Sequence, residues 1–350
     1  MYRMPYLSLF FASLLTLSAC GEPADRQTPE SAAALVSYPT IGSIERLDPG
    51  LDRLVPADAQ LEVLAGGFNW SEGPQWLPDE ERLIFSDVPE NRVYQWKEGD
   101  TVASVYLAPS GYTGEAARGG EPGSNGLTLD PEGRLVLCQH GDRRVARMDA
   151  PLNAPAPDFT TLVAEYEGKR FNSPNDLVYD ARGNLYFTDP PYGLEGGVDS
   201  PLKELDFQGV YRLSADGELT LLIDTLTRPN GIALSPDEGT LYVAVSDPQR
   251  AWWVAYELTE DGSVRNGRLL YDATPMVPKA KGLPDGMKVR RDGSIWATGP
   301  GGVWVFSPEG THLGTIHTGQ ATANCGFNTA QDVLYMTADS LLLRLPLEEL

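Results

Sequence analysis

The sequence predicts an all-β fold, a six-bladed β-propeller with four-stranded antiparallel blades. Six segments repeat one pattern, in which a small polar or acidic residue precedes a short apolar run, a turn rich in Pro, Asp and Gly, and a strand-like run. Equivalent positions of these segments are 73, 126, 176, 231, 286 and 326, so the intervals are 53, 50, 55, 55 and 40 residues. Such periods are typical of propellers. The 28 Pro and 36 Gly residues also favour short strands and turns over long helices.

The second repeat shows how one blade is built. Strand-like runs at 126–130, 135–139, 145–148 and 160–164 are separated by turn signals such as 131–133 and 141–142. Four antiparallel strands, repeated six times, make a propeller. A β-sandwich or two tandem barrels would also use short strands, but neither explains why one type of residue recurs at one offset. The last repeat is short, and we expect residues 61–64 to supply its missing strand.

The first 20 residues are predicted to be a targeting segment. Arg3 precedes an apolar stretch at 5–17, and small residues precede Cys20. This arrangement resembles the lipobox of bacterial lipoproteins, in which cleavage leaves the cysteine as a lipid-modified N-terminus, whereas a plain secretory signal is the alternative. Gly21 after the cysteine favours the outer membrane. We therefore expect a periplasm-facing protein of the bacterial cell envelope, lipid-anchored at Cys20, with a flexible spacer at 21–43 and the propeller at 44–350.

Composition limits the partners of the chain. A net charge of −22 and a pI near 4.4 argue against nucleic-acid binding, because phosphates would be repelled. No apolar run of about 18 residues follows the targeting segment, so the lipid is the only membrane contact expected. Cys138 and Cys325 lie in strand-like runs without metal or redox spacing, which predicts two buried free thiols. The seven tryptophans are expected to pack within and between blades.

The leading residues of the six repeats are predicted to form a ring, because the innermost strands of a propeller line its axis and equivalent positions converge there. Five of the six carry a side-chain oxygen; in order they are Glu72, Asn125, Asn175, Asn230, Asp285 and Cys325.

Four of these positions form an all-oxygen, hard-ligand set: Glu72, Asn175, Asn230 and Asp285. It suits one divalent cation and favours Ca²⁺, with Mg²⁺, Mn²⁺ and Zn²⁺ left open. Asn-Gly and Asp-Gly are also common turn dipeptides. Turn chemistry alone, however, requires neither recurrence in phase nor a glutamate in the first repeat.

Five motifs in order resemble the SMP-30/gluconolactonase/LRE-like family of six-bladed propellers. They are SEGP at 71–74, NSPND at 172–176, TDPPYG at 188–193, RPNG at 228–231 and PDGM at 284–287. SNGL at 124–127 and CQHGDRR at 138–144 resemble the bacterial gluconolactonase branch. The resemblance runs from about residue 44 to the end of the chain.

This resemblance implies a divalent cation, usually Ca²⁺, on the axis and hydrolysis of a sugar lactone to the aldonic acid. Glu72, Asn230 and Asp285 match the metal ligands of the family. Asn175 matches an asparagine that lines the site and ligates the metal in related propellers. We assign Asn125, one blade earlier, to substrate contact. The small-molecule lactone is then the partner of the hydrolase domain.

The expected mechanism uses the cation to polarise the lactone carbonyl while a carboxylate takes a proton from the attacking water. The resemblance and its place on the axis make Asp285 the predicted catalytic base. A metal ligand is a weakened base, so Asp189 is kept as an alternative. The chain lacks a GxSxG motif, which argues against an acyl-enzyme on serine.

Two long glycine-rich loops, 109–124 and 190–206, are predicted to shape the mouth of the site. We expect His140, Asn172 and Tyr192 to contact substrate. A structural role for His140 and rim packing for Tyr192 are the alternatives.

Two other functions remain open from the sequence. Related propellers hydrolyse phosphotriesters or aryl esters on much the same ring. A non-catalytic propeller could instead bind a carbohydrate or a protein, with a purely structural metal.

Overall fold

The computed structural model describes residues 36–350, and these residues form a six-bladed β-propeller, as predicted. The predicted signal peptide, the lipidation site Cys20 and residues 21–35 of the predicted spacer lie outside the described residues. In the described part of the chain, no helix is long and apolar enough to cross a membrane.

Residues 36–350 contain 28 strands and four short 3₁₀ helices. The 3₁₀ helices are Pro49–Arg53, Pro78–Glu80, Gly197–Asp199 and Thr274–Met276. The strands, in chain order, are β1 Thr40–Ile41, β2 Ser43–Arg46, β3 Leu61–Gly66, β4 Ser71–Leu77, β5 Arg82–Asp87, β6 Arg92–Lys97, β7 Ser104–Leu107, β8 Ser124–Leu129, β9 Leu135–Gln139, β10 Arg144–Met148, β11 Phe159–Val163, β12 Glu165–Tyr166, β13 Lys169–Arg170, β14 Leu177–Tyr179, β15 Leu185–Asp189, β16 Gly209–Leu213, β17 Leu219–Ile223, β18 Pro229–Leu234, β19 Thr240–Asp247, β20 Arg250–Leu258, β21 Val264–Asp272, β22 Met287–Val289, β23 Ile295–Gly299, β24 Gly302–Phe306, β25 His312–His317, β26 Thr322–Phe327, β27 Val333–Ala338 and β28 Leu341–Pro346.

Each blade is an antiparallel sheet whose strands follow one another in sequence. Blades 1 to 4 are β4–β7, β8–β11, β14–β17 and β18–β21. Blade 5 is β22–β25, with β2 added outside β25. The short pair β12–β13 forms a separate hairpin between blades 2 and 3. The four strands predicted for the second repeat correspond to β8, β9, β10 and β11.

Blade 6 combines both ends of the propeller domain. Its strands β26, β27 and β28 come from the C-terminal end, and β3 pairs antiparallel with β28 from the N-terminal end. In this pairing, Leu341 lies opposite Gly66 and Arg344 lies opposite Glu62. The prediction that residues 61–64 complete the last blade is therefore confirmed. The strand β1 adds a fifth member on the outside of β3.

The core lies between blades, because side chains alternate between the two faces of each strand. In β15, Leu185 and Phe187 pack against blade 2, whereas Tyr186 between them packs against blade 4. The same alternation fills all six blade interfaces with buried apolar residues. Burial on both faces explains why strand interiors such as LVLC at 135–138 are apolar throughout.

Three further predictions are tested by the packing. Cys138 and Cys325 are buried free thiols, as predicted. Trp96, Trp253 and Trp296 are fully buried in the blade interfaces, as predicted for the tryptophans. The predicted spacer, in contrast, ends earlier than residue 43, because Tyr38 is buried against blade 1 and Thr40–Ile41 already pair with β3.

Candidate functional site

A cavity of about 620 Å³ opens where the innermost strands begin. Five of the six predicted ring positions line it. Glu72, Asn125 and Asn230 are the second residues of β4, β8 and β18, and Asn175 and Asp285 lie two residues before β14 and β22. The repeat offset read from the sequence thus corresponds to one ring of side chains in space.

Close contact between blades explains the glycine that follows most ring residues. A Cβ on Gly231 would lie 2.2 Å from the carbonyl oxygen of Asp285 in the next blade. A Cβ on Gly73 would lie 2.4 Å from the carbonyl oxygen of Asn125. Any larger residue would push the neighbouring strand away. The Asn-Gly and Asp-Gly pairs are therefore explained by packing at the axis, in addition to their preference for turns.

The ring holds two carboxylates that repel each other: Glu72 is buried, and Asp285 is half-buried with its Oδ1 buried. Glu72 is 2% exposed, and its Oε2 accepts a hydrogen bond of 2.9 Å from Gly73 N. Burial and the charge of Asp176 raise the pKa of Glu72 to about 8. Burial and the charge of Glu72 raise the pKa of Asp285 well above its usual range. Two carboxylates in this setting favour a bound cation, because it would compensate both charges.

The ring amides are oriented by a chain of hydrogen bonds. Asn175 Nδ2 donates to Asn230 Oδ1 at 2.9 Å, and Asn230 Nδ2 donates to Ser246 Oγ at 3.1 Å. Asn175 Oδ1 and Asp285 Oδ1 are buried, and neither has a hydrogen-bond partner within residues 36–350. A buried oxygen without a hydrogen-bond partner costs folding free energy, and a ligand in the cavity would relieve this cost at both atoms.

The sixth blade departs from the predicted alignment. Gly126 N donates to Asn175 O at 2.8 Å, and Gly286 N donates in the same way to Ala323 O at 2.7 Å. Ala323, rather than Cys325, therefore occupies the ring position of blade 6. Its methyl group supplies no ligand. Cys325 lies two residues beyond the ring position of this blade. The apolar run of the short last repeat, on which the prediction depends, does not start at the same offset as in the other repeats.

A second polar layer lies next to the ring. It contains Asp176 and Asn324, each of which directly follows a ring position. The side-chain amide of Asn324 partly offsets the raised pKa of both Glu72 and Asp176. Lys288 Nζ lies 3.9 Å from Asp176 Oδ2 and supplies a positive charge to this layer. Nothing in the repeat pattern singled out Lys288, because it lies three residues beyond the ring position of its blade.

Tyr192 lines the cavity, as a substrate contact would. Burial together with the charge of Asp285 raises the pKa of its phenol, and nearby Ser246 partly offsets this rise. The phenol therefore stays protonated at neutral pH and can donate a hydrogen bond.

His140 and Asn172 do not line the cavity. Asn172 is fully buried, and its Nδ2 donates at 3.0 Å to both Asp189 O and Phe207 O, so it holds the loop that follows β15. His140 is fully buried as well, and its Nδ1 lies 3.1 Å from Glu121 Oε2. Neither position supports the interpretation of a direct substrate contact.

The alternative base Asp189 is also absent from the cavity wall. Its carboxylate accepts hydrogen bonds of 2.8 Å from the backbone N–H groups of Asn172 and Ser173. Burial raises the pKa of Asp189 well above its usual range. Asp189 therefore anchors the loop and does not face a substrate.

Trp70, Glu121 and Lys281 are among the cavity residues that the sequence did not predict. Trp70 directly precedes β4, and it lines the cavity instead of packing within or between blades as expected for the tryptophans. Glu121 and Lys281 lie in loops outside the repeat pattern. For Glu121 the only sequence signal is the length of the loop at 109–124, which was predicted to shape the mouth. Arg118 fixes this loop by donating to Gly193 O at 2.5 Å and to Gly141 O.

The donor set fits a hard divalent cation. Within residues 36–350, no group of three or more His, Cys, Asp or Glu side chains is placed to hold a metal. The ring instead combines two carboxylates with amide oxygens, and a mixed set of this kind suits Ca²⁺ or Mg²⁺. Two observations support a cation there: the carboxylates of buried Glu72 and half-buried Asp285 lie on one cavity, and the buried Oδ1 atoms of Asn175 and Asp285 have no hydrogen-bond partner within residues 36–350.

Comparison with known proteins gives a consistent result. The family model described as SMP-30/Gluconolactonase/LRE-like region matches residues 70–340. A gluconolactonase from Zymomonas mobilis is 39% identical over 315 residues, which cover 87% of this chain and 86% of the relative. A pentonolactonase from Haloferax volcanii is 28% identical and covers 76% of this chain and 80% of its own length. The solved structure of a gluconolactonase from Xanthomonas campestris superposes with a TM-score of 0.74 at 34% identity, covering 89% of this chain and 99% of that one.

Proposed function

The chain belongs to the SMP-30/gluconolactonase/LRE-like family, as its motifs predict, and on that premise we propose that it hydrolyses a sugar lactone to the aldonic acid with a divalent cation. The activities of the gluconolactonases from Zymomonas mobilis and Xanthomonas campestris support the reaction class. One observation of this chain carries the proposal. The mutually repelling carboxylates of Glu72 and Asp285, and the unpartnered Oδ1 atoms of Asn175 and Asp285, face a single cavity large enough for a sugar.

The residues proposed to hold the cation are Glu72, Asn175, Asn230 and Asp285. Their oxygens favour Ca²⁺, and Mg²⁺, Mn²⁺ or Zn²⁺ are the alternatives to be compared. When bound, such a cation would polarise the lactone carbonyl and stabilise negative charge on its oxygen.

The remaining cavity residues are proposed to orient the substrate. The protonated phenol of Tyr192 donates a hydrogen bond to a lactone oxygen. Asn125, 5% exposed on the cavity wall, is proposed to bind a sugar hydroxyl. Trp70 offers an apolar surface to the carbon skeleton. A carboxylate of the cavity takes the proton of the attacking water, and Asp285 is the residue that family resemblance assigns to this step.

The test is acid release from a panel of aldonolactones, with and without a chelator, followed by pH-stat titration. We expect activity that is lost on chelation and restored by Ca²⁺. Glu72→Gln keeps the size of the side chain and removes its charge, so it should lose both cation binding and activity. Glu115→Gln, on the exposed part of the 109–124 loop, is the matched control and should behave as wild type.

Two results would contradict the proposal. Cleavage of aryl esters or phosphotriesters, but of no lactone, would favour the related hydrolase reactions. Cation binding without cleavage of any of these substrates would favour a non-catalytic binding protein.

We also propose that the mature protein is anchored through Cys20 to the outer membrane, facing the periplasm. The lipobox-like segment and Gly21 support this proposal. Metabolic labelling with palmitate, followed by membrane fractionation, would test it. Cys20→Ser should abolish the label, whereas labelling that persists in this variant would contradict the proposal.

A further inference from the structure

The cavity holds a carboxylate that lies outside the predicted ring. Glu121 comes from the loop at 109–124 and lines the same cavity as Glu72 and Asp285. Its side chain is 35% exposed, so one face is open to the cavity while Oε2 contacts His140 Nδ1 at 3.1 Å. Its charge reaches the ring, because it contributes to the raised pKa of both Glu72 and Asp285.

Glu121 differs from the other carboxylates around the cavity in being free for proton transfer. The oxygens of Glu72 and Asp285 are the proposed cation ligands, and coordination weakens a base. Asp176 is buried in the second layer beside Lys288, and Asp189 is occupied by backbone N–H groups. Among the described residues that line the cavity, Glu121 is the carboxylate outside the ligand set.

His140 is built to hold Glu121 in place. The imidazole is fully buried, and its Nε2 has no hydrogen-bond partner within residues 36–350. Gly193 packs against it so closely that a Cβ there would lie 2.7 Å from His140 Cβ. The imidazole of His140 therefore has little room to move, and its one polar contact is the carboxylate of Glu121.

From this arrangement we propose that Glu121 is the catalytic base of the lactone hydrolysis and that His140 is its positioning residue. The inference rests on the proposed function and reassigns the proton transfer from Asp285 to Glu121. The Nδ1–H of His140 donates to Oε2 and leaves Oε1 free to accept a proton in the cavity. Asp285 then acts as a ligand only.

The proton balance of the reaction is complete with this one group. Glu121 takes a proton from water as the water oxygen forms a bond to the lactone carbonyl carbon. The bond between that carbon and the ring oxygen then breaks. Glu121 returns the proton to the departing ring oxygen, which becomes the hydroxyl of the product acid.

The first experiment compares wild type with Glu121→Gln, using the aldonolactone on which wild type is most active. We expect kcat to fall roughly 10²- to 10⁴-fold, as for loss of a general base, with KM within a few-fold of wild type. Ca²⁺ affinity, measured by calorimetry, should fall only a few-fold, because Glu121 contributes charge but no ligand oxygen, whereas Glu72→Gln should abolish Ca²⁺ binding. Glu115→Gln, in the same loop, is the control for surface charge.

Chemical rescue separates a base from a merely structural carboxylate. Glu121→Ala leaves space beside His140, and added formate should restore part of kcat in this variant but not in Glu121→Gln. For the positioning residue, His140→Asn keeps a donor near the Nδ1 position, and His140→Leu removes it. We expect kcat to fall further in His140→Leu than in His140→Asn.

The outcomes are distinguishable. A wild-type protein inactive on every lactone would overturn the proposed function and this inference together. Active wild type with an equally active Glu121→Gln would overturn the role of Glu121 alone. A raised KM with unchanged kcat would overturn the base assignment as well, because Glu121 would then be a substrate-binding residue.

Discussion

The stability of the cation-free protein should fall as pH rises, because Glu72 must ionise in a buried site. The pKa of Glu72 is raised from 4.5 to about 8 by burial and by Asp176. Below pH 4.5 the group is protonated in both the folded and the unfolded chain. Above pH 8 it is ionised in both, and the folded chain bears the whole cost of a buried charge. Stability is therefore lost between these two values.

The size of the effect follows from the difference between the two pKa values. At about 1.36 kcal/mol per pKa unit, the difference between 4.5 and about 8 corresponds to at most about 5 kcal/mol of unfolding free energy. Asp285 adds to the loss in the same direction, because its pKa is also raised. A bound cation offsets both charges, so the pH dependence should shrink when Ca²⁺ is present.

Urea unfolding followed by tryptophan fluorescence would measure this dependence. Metal-free wild type is compared with Glu72→Gln between pH 5 and pH 9, with and without Ca²⁺, and Glu115→Gln serves as the control. We expect the wild type to lose stability relative to Glu72→Gln as pH rises. Parallel curves for the two metal-free proteins, or equal stabilisation by Ca²⁺ at pH 5 and pH 8, would refute the reasoning.

Three further predictions follow, two on packing around the site and one on a buried arginine away from it. Gly231→Ala places a Cβ 2.2 Å from Asp285 O, so the strand must shift; we expect Ca²⁺ affinity measured by calorimetry to fall at least tenfold, and an unchanged affinity would contradict this. Arg118→Met removes the donors that join two rim loops, so KM for the lactone should rise while the urea midpoint stays near that of wild type. Arg290→Met removes a fully buried guanidinium that donates to Glu348 O. The unfolding free energy should fall by about 3 kcal/mol, and the kcat of the folded fraction should be preserved. A loss under 1 kcal/mol would contradict a structural role for this arginine.

The ring and the fold could be predicted together because the propeller has rotational symmetry. A residue type that recurs at one offset, such as Asn125 and Asn230, must recur at one height along the axis. The same argument predicted the closing strand, because the last repeat was one strand short. The repeat period and the number of strands per repeat can be read from the sequence. In a propeller they determine which residues lie at equivalent places in each blade.

Features outside the period could not be predicted in this way. Glu121 reaches the cavity only because the 109–124 loop folds over the axis, and no repeat constrains that loop. The burial of His140 and Asn172 depends on how neighbouring loops cover each other. Ala323 was missed because an alanine at the ring position carries no chemical signal, and the apolar run that follows aligned the last repeat two residues too late.

The closure of blade 6 has a consequence for how the chain is made. Arg344 pairs with Glu62 across 282 residues of sequence, and at roughly 5–20 residues per second the ribosome needs about 15–60 s to synthesise that interval. During this time β3 can pair with β1 but not with β28, and the first blade lacks part of the neighbour that covers Leu83 and Phe85. Completion of the propeller therefore waits for a contact of very long sequence separation, of the kind that slows folding. A chain that stops before β28 would leave β3 and β27 as open edges, exposed to other unfinished chains.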